Sequence, residues 1–85
     1  MATWQDYRAQ TTALPQPVLT RIDTLAQLHS ERVRRGVSQR ELAARIGMSQ
    51  PQLAKVERLD SVPSFKTLNR YAAGLGLKLK VIVTA

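Results

Sequence analysis

The chain contains no cysteine and a single histidine, His29. That excludes a disulfide framework and a thiolate metal site, and one imidazole cannot furnish a zinc site alone, so no metal or cofactor is expected. No apolar run approaches the roughly 18 to 20 residues that span a bilayer, and the first segment, with Asp6 and Arg8 and no apolar core, does not read as a signal peptide. A reducing, cytoplasmic setting is expected. No nucleophile, base and orienting group fall together, so an enzyme is the least expected class. Gly74-Leu75-Gly76 lacks the preceding strand, the length and the acidic residue of a dinucleotide loop and reads as a helix cap.

Acidic side chains are also scarce: 6 Asp and Glu stand against 13 Lys and Arg, a net charge of +7. The excess is uneven, with two basic and three acidic residues in 1–31 but eleven and three from Arg32 to Lys80. A surface that mixed its signs would not divide in this way, so one basic face is implied, facing a polyanionic partner or an anionic membrane surface, with nucleic acid first. The 85 residues suffice for one small domain, which buries only about 60% of the surface its unfolded chain exposes and so gains from a dimer partner.

What is present is mostly helical signal. Residues 1–17 mix Gln, Thr and Ala with isolated Trp4 and Tyr7 and end in Pro15 and Pro17, which reads as an extended or disordered arm with two aromatic anchors for a partner. From Val18 the positions Val18, Ile22, Leu25, Ala26, His29 and Val33 recur at three- and four-residue spacing, a first helix stopped by Gly36. Ser38 caps a second helix, Gln39 to Ile46, with Glu41 in capping-box position, and Gly47 ends it. Ser49 caps a third, with Pro51 tolerated in its first turn and Leu53 and Val56 facing inward. Ser64 caps a fourth, with Phe65, Leu68, Tyr71 and Ala72 on one face and closure at Gly74 to Gly76. Leu77, Leu79, Val81 and Val83 then alternate with Lys78, Lys80, Ile82 and Thr84, the period of a strand. The division is therefore an arm (1–17), a helical domain (18–76) and a terminal strand (77–85).

Val37 to Arg58, VSQRELAARIGMSQPQLAKVER, sets two short capped helices across a tight turn, the spacing of a helix-turn-helix. Ala43 and Gly47 are small where the helices cross. The sequence resembles the Cro/cI-like (XRE) helix-turn-helix family, through Ser38-Gln39, Glu41-Leu42-Ala43, Ile46-Gly47, Ser49-Gln50 and Glu57. Within it, Pro63-Ser64-Phe65, Leu68 and Tyr71 to Leu75-Gly76, followed by a short basic strand, are similar to antitoxins of the HipB and HigA kind.

The resemblance implies a mainly α, four- to five-helix, lambda-repressor-like domain with a short C-terminal β-strand that pairs in a dimer. It places Ser38, Gln39, Arg40 and Arg45 at DNA phosphates, where contacts set register. Ser49, Gln50, Pro51, Gln52, Ala54 and Lys55 become base readers in the major groove, Gln50 foremost through its carboxamide and Pro51 by contact with a thymine methyl. Lys78, Leu79, Lys80, Val81, Ile82 and Val83 form the strand, joining either a second copy or a partner.

Against these stand plainer readings. Gln39 and Gln50 could be solvated helix starts; Lys55, Glu57 and Arg58 an ordinary charged face; Arg32, Arg34 and Arg35 cations favoured at a helix C-terminus; His29 a partly buried helix residue; and Phe65, Leu68 and Tyr71 core or dimer surface. The function implied is a homodimeric repressor of a palindromic double-stranded operator, acting as the antitoxin of a type II toxin–antitoxin pair against a HipA-like kinase or a HigB/RelE-like ribonuclease. Two alternatives stay open, a stand-alone phage-type or housekeeping repressor and a protein-interaction module without DNA readout.

Overall fold

The computed structural model describes residues 15–83 and holds four helices, α1 (Gln16–Arg34), α2 (Gln39–Ile46), α3 (Gln50–Glu57) and α4 (Phe65–Gly74). Trp4 and Tyr7 lie outside the described residues. Among the described residues no helix is long and apolar enough to cross a membrane.

Helix boundaries follow from local chemistry. Ser38, Ser49 and Ser64 each accept from the backbone N–H three residues on, at Glu41, Gln52 and Thr67, so one orphan donor of each first turn is satisfied. The full capping box forms at α3, where the Gln52 side chain accepts from Ser49 N at 2.9 Å. At α2 the expected partner, Glu41, instead lies 4.0 Å from Arg45 one turn on. Helix α1 starts at Gln16, two residues before the expected Val18, because Pro17 fits a first turn as well as it fits an arm.

Helix α1 ends as its Gly36 predicts. That glycine is left-handed (φ 70°), with Gly36 N–H bonded to Val33 O and Val37 N–H to Arg32 O. Helix α3 closes the same way without a glycine, since Leu59 takes φ 59° while Asp60 N–H reaches Lys55 O. A side chain in that region costs about 1 kcal/mol, and Leu59 offsets it by packing on the core.

The core holds Leu25, Leu28, Leu42, Ala43, Leu53, Leu68, Tyr71, Ala72 and Leu75. Helix α4 packs against α1 and α2, and α3 against α2. Gly74 belongs to this packing and is not a cap, because a Cβ there would lie 2.5 Å from Leu42 Cδ1 and 2.6 Å from Ile46 Cγ2. The turn after α4 falls to Gly76, at φ 73°.

Three further expectations are corrected. The inner line of α1 is Ile22, Leu25, Leu28 and Arg32, whereas Val33 is 57% exposed and His29 lies outward. An apolar-only search passes over Arg32, yet pairing makes a buried guanidinium tolerable. Phe65 is 49% exposed at the start of α4, off the core line of Leu68, Tyr71 and Ala72. Residues 77–83 form no strand, because a ladder needs a second backbone and every other described element is a helix. Their alternation survives in part: Leu77 and Leu79 pack on the core, Lys78 and Lys80 are exposed, and Val81, Ile82 and Val83 are left in solvent.

Candidate nucleic-acid interface

Helices α2 and α3 are joined by Gly47, Met48 and Ser49, with Gly47 left-handed at φ 70°. Gln39 and Gln50, the first residues of the two helices, meet: Gln50 Nε2 donates to Gln39 Oε1 at 2.7 Å, and Gln39 Nε2 donates to Glu57 Oε1 at 2.8 Å. The order of atoms is forced. An ionised carboxylate only accepts, so Gln39 must turn its NH₂ toward Glu57 and its oxygen toward Gln50.

Glu57 anchors this chain of amides. Its side chain is only 6% exposed, and Arg32 grips it side-on, Nε to Oε2 at 2.8 Å and Nη2 to Oε1 at 3.0 Å. Tyr71 OH donates to Oε2 at 2.6 Å, and His29 Nε2 stands 3.6 Å from Oε1. Arg32 also donates to Tyr71 OH and, through Nη1, to Val37 O at 2.7 Å. All four helices thus converge on one carboxylate, and among the described residues no buried side-chain polar atom lacks a partner.

The protonation states agree with this geometry. Burial is the largest influence on Glu57 and pushes its carboxyl up, but the bonds from Arg32, Gln39 and Tyr71 together outweigh it and hold the group below the ordinary carboxylate range. Burial likewise works against the Arg32 cation, yet Glu57 and Tyr71 leave it more firmly protonated than usual. Burial, then the adjacent Glu57, raises the Tyr71 phenol, which remains a donor.

The residues expected at DNA divide. Gln50, Pro51 and Lys55 are exposed on α3 and Arg40 on α2, while Ala54 is half-buried. Ser49 and the Gln52 oxygen are engaged in the capping box, so Gln52 has its NH₂ to offer and Ser49 acts chiefly through the helix start. Ser38 is likewise a cap. Arg45 turns aside, Nη1 donating to Gly74 O at the end of α4 at 3.1 Å, while Arg70 Nη2 donates to Ile46 O at the end of α2.

Arg34 and Arg35 both pair with Glu31, whose carboxyl their hydrogen bonds, Arg34 first, lower to about 2. Arg35 also donates to Leu75 O at 2.6 Å. Arg32, by contrast, turns inward from the same helix end onto Glu57, and Glu57 is no part of a solvated face. Sequence reasoning missed Arg32, Tyr71 and His29 as neighbours of Glu57. The signal it held was Glu57 itself, a fixed element of the motif with no assigned task. Among the described residues no group of His, Cys, Asp and Glu could hold a metal ion.

Two short helices across a three-residue turn, the second starting at an exposed, hydrogen-bonded Gln50, define a helix-turn-helix protein. The helix-turn-helix family profile matches residues 28–82, and the chain belongs to that family. It is 31% identical over 62 residues to an uncharacterized HTH-type transcriptional regulator of Haemophilus influenzae, covering 73% of this chain and 63% of the relative, so it spans less than two thirds of that protein's length. No solved structure matches.

Proposed function

We propose that this chain is a sequence-specific, double-stranded DNA-binding transcriptional repressor that places α3 in the major groove. The observation that carries the reading is the relay Gln50–Gln39–Glu57 at the paired starts of α2 and α3. With one N–H of Gln50 directed to Gln39, its second N–H and its oxygen form the donor and acceptor pair that adenine N7 and N6 require. Family membership supports DNA as the partner, and the relative's name supports regulation. The +7 charge adds the electrostatic attraction to phosphate that such binding needs.

Within this reading the protein is a cytoplasmic, nucleoid-associated homodimer without enzymatic activity. Two copies of α3 would reach successive major grooves of a palindrome about 34 Å apart. Val81, Ile82 and Val83, exposed at 71%, 68% and 92%, supply an apolar tail that becomes a strand only on pairing with its copy or with a partner sheet. The finer assignment, the antitoxin of a type II pair neutralising a HipA-like kinase or a HigB/RelE-like ribonuclease, rests on the resemblance of residues 63–76 together with this basic, apolar tail.

The test is a mobility shift on the DNA upstream of its own gene at several salt concentrations, with Gln50→Ala beside the wild type. A specific, salt-sensitive shift lost in Gln50→Ala is expected. A shift no stronger than that on random duplex would remove the repressor reading, and co-purification from native cells with a stoichiometric toxin separates the antitoxin from a stand-alone repressor.

A further inference from the structure

We infer that Tyr71, sealed in the core on α4, is a positioning residue for base readout by Gln50. The inference rests on the reading of Gln50 given above. The argument starts from how acceptor capacity is divided at Glu57. Each of its two oxygens takes two close donors, Oε1 from Arg32 Nη2 and Gln39 Nε2, and Oε2 from Arg32 Nε and Tyr71 OH. With roughly four acceptor directions available to a carboxylate, the site is saturated. The Tyr71 bond is the shortest of the four, at 2.6 Å.

Tyr71 and Gln39 therefore hold opposite oxygens of one carboxylate, and the hydroxyl completes a line that runs Tyr71, Glu57, Gln39, Gln50 from the core to the exposed start of α3. Removing the hydroxyl opens a place on Oε2. Arg32 still spans both oxygens, but with nothing opposing it at Oε2 the carboxylate can tilt within that grip, and Gln39 loses the fixed position of the Oε1 that orients its amide. Gln50 would then present its amide to the groove in more than one way.

A core role alone would be served as well by phenylalanine, because the ring is fully buried between helices and the hydroxyl adds no packing that the ring lacks. The hydroxyl's task lies in its bonds, to Glu57 and from Arg32 Nε at 3.2 Å.

Tyr71→Phe tests this in two measurements. In the free protein, the side-chain amide NMR resonances of Gln39 and Gln50 should shift, although the hydrogen bonds of Tyr71 go to Glu57 and Arg32. On DNA, wild-type protein first selects its duplex from a random-sequence pool, and Gln50→Ala identifies the base pair whose identity Gln50 reads. Tyr71→Phe should reduce the A·T over G·C affinity ratio at that pair by about three- to tenfold, while the salt dependence of binding is unchanged. Resonances and ratio that stay at wild-type values would overturn the positioning role, while the Gln50→Ala result left the readout reading standing. A ratio that Gln50→Ala does not alter would overturn both. The dispersion of the other amide resonances in the same spectra shows that Tyr71→Phe, which keeps the buried ring, is folded.

Discussion

Arg32 and Glu57 meet side-on inside the domain, Nε to Oε2 at 2.8 Å and Nη2 to Oε1 at 3.0 Å, each side chain no more than 10% exposed. Such a pair, removed from water, gains from its bidentate geometry and from neighbours that satisfy the remaining atoms. Here those neighbours include Gln39, which also bonds Gln50, so the ion pair and the candidate reading surface share one carboxylate.

Glu57→Gln is expected to cost about 3 kcal/mol of unfolding free energy or more, because Arg32 would stay buried without its counter-charge. Urea denaturation measures it. A loss below about 1 kcal/mol, the range of an exposed pair, would mean that solvent reaches the site.

The pH dependence has a definite sign. The Glu57 carboxyl lies below its ordinary 4.5 in the folded protein, so its contribution is present above that value and is lost as pH falls through the folded value. Glu31, held near 2 by Arg34 and Arg35, adds to the same acid window, but it is a surface group whose pairing salt screens. Acid denaturation below pH 4.5 should therefore have a salt-sensitive and a salt-resistant part. Glu57→Gln should remove the salt-resistant part, as thermal melts at low and high ionic strength would show.

Two glycines should respond to alanine for different reasons. At Gly74 the added methyl meets Leu42 and Ile46 in the core, and a cost of about 1–3 kcal/mol is expected despite alanine's better helix propensity. At Gly36 nothing lies within 4 Å and only the left-handed backbone opposes the change, a cost of about 1 kcal/mol. Ile46→Ala, which removes the Cγ2 that the new methyl meets, should therefore cost less beside Gly74→Ala than beside Gly36→Ala, as the melting temperatures of the two double variants would show.

Arg40 and Arg45, both on α2, should differ in their effect on binding. Arg40→Ala, at an exposed position on α2, should weaken binding to specific and random duplex equally and lower the salt slope by about one. Arg45→Ala should act mainly on thermal stability, since its guanidinium holds Gly74 O. Equal salt slopes for the two variants would show that Arg45 leaves that carbonyl to meet DNA.

The ends of the helices were legible in the sequence. Ser38, Ser49 and Ser64 cap, and Gly36 and Gly47 turn, because each signal acts within one helical turn of its own residue. Those local signals also located the pair of short helices and the exposed Gln50. The tertiary structure alone decided what Glu57, Arg32 and Tyr71 do, since their partners lie 14, 25 and 39 residues apart in the chain. It likewise turned Arg45 to α4, put Gly74 against α2, and left residues 77–83 without a strand. The division has one physical cause: capping and turn chemistry are satisfied by neighbours in sequence, whereas a buried charge, a close helix crossing and a strand need groups that folding must first bring together.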